Sequence, residues 1–137
     1  MSRPVRYSQP RRLNIVSTIL LLAAGAGVYW VIQFGPPYLR HWKSKGILSE
    51  AANSIYPRRG RLFGSGAKEL MDEVGMETEK KLRAIGVLDP KLEAKVVVVK
   101  NEVTVSADYI ETIDHPVIKK TTILRFTPSF VMQLSIE

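Results

Sequence analysis

The sequence predicts an α+β fold: one N-terminal transmembrane helix, then helices packed on a small antiparallel β-sheet of three to four strands. Three observations predict it. An apolar run near the start carries no charge, the segments after it keep helical spacing, and beyond Asp89-Pro90 the pattern changes to strict alternation. The expected divisions are a basic cytoplasmic tail over 1–12, the span over 13–34, a juxtamembrane amphipathic helix over 36–56, a linker over 57–66 and a small α+β domain over 67–137.

From Leu13 to Phe34 (LNIVSTILLLAAGAGVYWVIQF) there is no charged side chain. As a helix this run covers about 30 Å, the thickness of a bilayer's hydrocarbon core. Asn14, Ser17 and Thr18 lie near one end and Gln33 at the other, where polar groups cost least. Trp30, Tyr38 and Trp42 gather toward the C-terminal boundary, as interfacial aromatics do. A cleavable signal peptide would use Ile15–Ala23 as its apolar region and cut near Ala24-Gly25-Ala26, but Val28–Phe34 continues the run past that point. The Arg11-Arg12 pair also fits a twin-arginine export signal; as topology determinants these arginines need no further explanation. Ala23 and Gly27 have the spacing of close-packing helices, which chance also produces in apolar segments.

The net charge is +7, and its placement matters more than its size. Arg3, Arg6, Arg11 and Arg12 precede the apolar run; Arg40, Lys43, Lys45, Arg58, Arg59 and Arg61 follow it, and the chain from Ala67 onward is nearly neutral. Basic flanks around a span suit anionic headgroups, and this pattern argues against nucleic acid, which calls for a broader basic surface. The expected membrane-interface residues are Arg11, Arg12, Trp30, Tyr38, Arg40, Trp42 and Lys43. The two flanks nearly balance under the positive-inside rule. The first helix and its short basic tail favour an N-terminus in the cytoplasm and a domain outside it.

After the span, Gly35-Pro36-Pro37 should interrupt the helix, since proline lacks the N–H and restricts the residue before it. Pro36-Pro37 suits the first turn of a new helix carrying Leu39, Trp42, Leu48, Ala51, Ala52 and Ile55 at helical spacing. Residues 57–66, with glycines, a proline and arginines, read as the linker. Ser65 can cap a helix bearing Leu70, Met71 and Val74, which Gly75 either ends or is absorbed into, and a further helical run extends from Glu77 to Ile85. Leu92–Val99 reads as a largely buried strand. A second strand starts at Val103 and continues toward Ile113, Asp114-His115-Pro116 turns the chain, and Val117–Phe126 forms a third. After Thr127-Pro128-Ser129, Phe130, Met132, Leu134 and Ile136 alternate with polar or smaller residues as a terminal strand. Consecutive strands with short links should pair antiparallel.

The parts of a reaction are scarce. The chain has no cysteine, which excludes disulfides, thiolate nucleophiles and zinc–thiolate or iron–sulfur ligation. No Walker motif, strand-associated GxGxxG or HExxH is present. Asp72, Glu73, Glu77 and Glu79 lack the loop spacing of a calcium site and read as a solvated helix face. His41 lies beside the membrane. Asp114-His115 with Ser106 or Ser129 can be drawn as a triad, but triads are set by geometry, and adjacent residues do not readily face each other. The expectation is therefore a non-enzymatic protein with no catalytic, cofactor-binding or metal residues and no cofactor.

The order of tail, span, helix opening "PPYLRHW" and hairpin "VTVSADYIETIDHPVIKKTTILRF" resembles a bacterial single-pass membrane protein family of unknown function, often encoded near signal peptidase I. The likeness covers most of the chain, and its most specific parts are Val103–Asp108 with Tyr109 and Leu124-Arg125-Phe126. Members of that family tend to begin like pilins, with a glycine just ahead of the apolar run; here Arg12-Leu13 stands in that place. The resemblance implies topology and fold and brings no catalytic residues. The resulting expectation is a single-pass protein of the bacterial inner membrane, N-terminus cytoplasmic and domain extracytoplasmic. Its partners would be the lipid bilayer and a protein partner or further copies of itself. Two other readings stay open: a pseudopilin-like filament or secretion component, and a cytoplasm-facing domain that binds lipid or nucleic acid.

Overall fold

A computed structural model describes residues 14–135. The basic tail, with Arg11 and Arg12, and the last two residues of the expected terminal strand lie outside them. The elements in order are helix α1 (Ile15–Ile55), a 3-10 turn (Tyr56–Arg58), α2 (Arg59–Leu62), α3 (Ala67–Ala84) and strands β1 (Glu93–Val99), β2 (Glu102–His115), β3 (Lys120–Phe126) and β4 (Ser129–Gln133). The fold is α+β with an antiparallel four-stranded sheet. Two compact units divide after Ile32.

Within the described residues, the first unit is the apolar part of α1 up to Ile32. Its best 18-residue window has a mean hydropathy of 2.1 and is 0% buried. Among the described residues, α1 is the one helix long and apolar enough to cross a membrane.

The second unit starts at Gln33, so the segment expected as a separate juxtamembrane helix belongs to the folded domain. Helix α1 does not break at Gly35-Pro36-Pro37: both prolines sit inside it. A proline forgoes one intrahelical hydrogen bond, at a cost of about 3 kcal/mol in an isolated helix. Packing offsets that cost here, because Pro37 is buried and Ser44, Leu48, Ala51, Ala52 and Ile55 continue the buried stripe at three- and four-residue intervals.

Residues 57–66 are not a free linker either. They form the 3-10 turn and α2, and Leu62 joins the core. Arg59 lies 4.7 Å from the Tyr56 ring centroid, and Arg58 reaches Glu73 at 3.2 Å. The two helical runs expected on either side of Gly75 are one helix, α3, whose N-cap is Gly66 without a side-chain cap, so Ser65 does not play that part. Gly75 is absorbed because α3 needs it: a Cβ there would meet the Ala94 carbonyl oxygen at 3.3 Å. Gly75 lets the helix lie close against β1.

One face of the sheet carries the core. Val103, Val105, Ala107, Tyr109, Glu111, Ile113 and His115 alternate inward along β2. Val103, Val105, Ala107 and Tyr109 share one core with Leu48, Ala52 and Ile55 of α1 and Leu70, Val74 and Leu82 of α3. The other face is open. This corrects the expectation of a largely buried first strand: Val97 and Val99 on β1 are 49% and 59% exposed, and only its alternate residues turn inward. A run of four valines cannot tell a strand covered on both faces from one covered on a single face.

Strand β4 also departs from expectation. It does not fold back on β3 but continues its line along β2. Tyr109 faces Phe126 in one ladder and Ser106 faces Ser129 in the other. The two residues left between on each strand leave no slip in register. Thr127-Pro128 interrupts the ladder because Pro128 has no N–H, though its carbonyl still accepts the Ala107 N–H at 3.0 Å. The tip of the long hairpin is residues 116–119; Asp114 and His115 belong to β2, and Val117 and Ile118 precede β3.

Candidate functional site

Most of the polar and aromatic groups that draw attention meet on one seam, where residues 34–44 of α1 rest on β2 and β3. The strand runs against the helix. Tyr109 donates its hydroxyl hydrogen to Ser44 Oγ at 3.4 Å; Glu111 takes Arg40 Nε at 2.8 Å and Arg40 Nη2 at 2.5 Å; His115 lies beside Phe34, ring centroids 5.8 Å apart. As β2 advances from 109 to 115, its partners on α1 step back from 44 to 34. Phe126 of β3 fills the middle, stacked on His41 at 4.8 Å and edge-on to Tyr38 at 5.7 Å.

The electrostatics follow from this packing. The bidentate hydrogen bond to Glu111 raises the Arg40 pKa above its ordinary value, more than burial lowers it. Burial raises the Tyr109 hydroxyl pKa, with its Ser44 contact acting in the opposite direction. Burial also holds the His41 pKa below the usual imidazole range, with the Lys45 charge adding to it. His41 Nδ1 is buried without a hydrogen-bond partner among the described residues.

The expected interface residues separate on inspection. Trp30, Tyr38 and Trp42 are exposed, Trp42 to 72%, and Lys43 is exposed as well. Arg40 is turned into the domain toward Glu111. His115 is buried, with Nε2 2.8 Å from Thr122 Oγ1. Ser106 and Ser129 face each other nine residues back along β2, about 30 Å from His115 at strand rise. The triad drawn from the sequence is therefore not assembled. Among the described residues no three His, Asp or Glu side chains come together to hold a metal ion.

Two carboxylates have duties the sequence did not show. Glu79, expected on a solvated face, accepts the Ala94 N–H at 3.0 Å on the free side of β1. Buried Asp89 accepts the Ile110 and Lys91 N–H groups, both at 2.8 Å. Each satisfies backbone on a sheet edge that no strand covers, where unpaired groups invite another chain. The one available signal was Asp89-Pro90 itself, a common turn-initiating pair.

Comparison with protein-family models, with curated proteins and with solved structures gave no match. The resemblance drawn from the sequence therefore rests on its own motifs.

Proposed function

We propose that this chain is a non-enzymatic single-pass membrane protein that presents a small extracytoplasmic α+β domain as an accessory or assembly subunit of a bacterial envelope complex. The observation that carries the reading is the apolar window of α1. Its mean hydropathy is 2.1 and none of it is buried within the protein, which suits a helix whose environment is lipid. The open sheet face supports a protein partner: Val97 and Val131 flank Thr104 in one cross-strand row, and Ile123 is 65% exposed on the same face.

Alkaline carbonate washing of membranes tests the anchor, and the expected result is retention in the pellet. A reporter joined after Glu137 tests sidedness, with activity expected outside the cytoplasm. Affinity purification in mild detergent tests the assembly role; a lone monodisperse monomer would overturn it. The same unburied helix also favours a second reading, a pseudopilin-like component whose helices pack together. Concentration-dependent polymers or trimming of the N-terminus would decide for that reading.

A further inference from the structure

We propose that the tip of the β2–β3 hairpin is a second membrane contact, in which Val117 and Ile118 enter the lipid interface while Lys119 and Lys120 meet anionic headgroups. This rests on the anchor reading above and adds to it a surface of the folded domain.

The argument is one of level along α1. The paired contacts Tyr109–Ser44, Glu111–Arg40 and His115–Phe34 show β2 descending the helix toward Phe34. Phe34 closes the span expected over 13–34, whose length as a helix already covers the hydrocarbon core, and Gly35-Pro36-Pro37 follows it, so in an anchored protein it lies at the boundary of that core. The hairpin passes Phe34 at His115 and reverses only afterward, through residues 116–119. That brings the tip to the depth of the boundary itself.

The chemistry of the tip fits that depth. Val117 is 79% exposed and Ile118 is 61% exposed, two branched apolar side chains at a turn where polar residues are usual. Lys119 and Lys120 follow directly and are also exposed. An apolar pair backed by cations is the composition of segments that lie in a headgroup layer with their charges among anionic lipids. On the helix, exposed Tyr38, Leu39 and Trp42 follow Phe34 and add interfacial side chains. The contact can be weak alone, because the span would hold the tip near the surface at high effective concentration.

The absence of cysteine makes the test direct. Full-length Val117→Cys, Ile118→Cys, Val131→Cys and Leu21→Cys variants, each carrying an environment-sensitive fluorophore, are reconstituted in phosphatidylcholine vesicles with or without phosphatidylglycerol. Nitroxide-bearing lipids serve as quenchers. The labels at 117 and 118 should show blue-shifted emission and lipid quenching that increases with phosphatidylglycerol. The label at 131, on the open sheet face, should stay water-like. Exchange of Lys119 and Lys120 for glutamate should abolish the phosphatidylglycerol-dependent increase. Water-like, unquenched labels at 117 and 118 beside a quenched label at 21 would overturn the tip contact and leave the anchor standing. Shielding of 117 and 118 from aqueous iodide without lipid quenching would also overturn it, showing a protein surface there. An unquenched label at 21 would bring down the anchor reading itself.

Discussion

Arg40 on α1 and Glu111 on β2 grip each other through two hydrogen bonds, although they lie 71 residues apart in the chain. The pair is unequally buried: the Glu111 side chain is 6% exposed and that of Arg40 30%. The glutamate faces the core side of β2, where its neighbours Tyr109 and Ile113 are also buried. Without Arg40 its charge would have no partner at that position.

This asymmetry predicts unequal losses. Arg40→Met strands a buried carboxylate and should cost about 3 kcal/mol. Glu111→Met leaves a guanidinium that can turn to water and should cost about 1 to 2 kcal/mol. Urea unfolding in detergent, followed by circular dichroism, should rank the two variants in that order. The double replacement should recover part of the loss.

Two helical glycines should respond in opposite directions. A Cβ at Gly46 meets nothing within 4 Å, so Gly46→Ala should stabilise by about 0.5 to 1 kcal/mol through helix propensity. At Gly75 the Ala94 carbonyl stands 3.3 Å from an added Cβ. Gly75→Val should therefore push α3 off β1 and cost about 1 to 3 kcal/mol. Thermal unfolding of the two variants checks both signs.

His41 should give the domain an acid-sensitive component. Its folded pKa lies below the ordinary value because of burial and Lys45, so the unfolded chain binds the proton first. The sign follows: the contribution is complete above about pH 6.5 and is lost as pH falls from there toward the folded pKa. His41→Phe keeps a ring against Phe126 and should flatten Tm between about pH 7 and pH 5, above the ordinary carboxylate range. An unchanged slope would exclude His41 as its source.

Asp89→Ala should cost about 1 to 3 kcal/mol, since two partly buried backbone N–H groups lose their acceptor. Faster amide hydrogen exchange at Ile110 than in the parent is the local measurement. The Glu79→Ala variant should show the same effect at Ala94, more weakly, because Glu79 is less buried than Asp89 and accepts one N–H where Asp89 accepts two.

Local patterns in the sequence disclosed the apolar helix, the strand-rich second half and the inward alternation from Val103 to Ala107. Features that depend on tertiary contact were hidden. Pro36-Pro37 carries a strong local stop signal, which the packing of Pro37 and the stripe beyond it overrules. Residues 57–66 have the composition of a linker, yet Leu62 commits them to the core. Arg40 reads as a membrane-interface cation until Glu111 is placed opposite it. Glu79 reads as solvated, and Asp89 only as part of a break before Pro90, until the sheet edges beside them are known. In each case the deciding partner is distant in sequence, and spacing within a segment carries no trace of it.

The shared ladder of β3 and β4 makes the number of residues at Thr127-Pro128 more consequential than their identity. One residue added there would leave β3 seated and rotate everything after it by half a pleat, sending Phe130 and Met132 to the water side and Val131 and Gln133 inward. That joint should accept changes of side chain far more readily than a change in length.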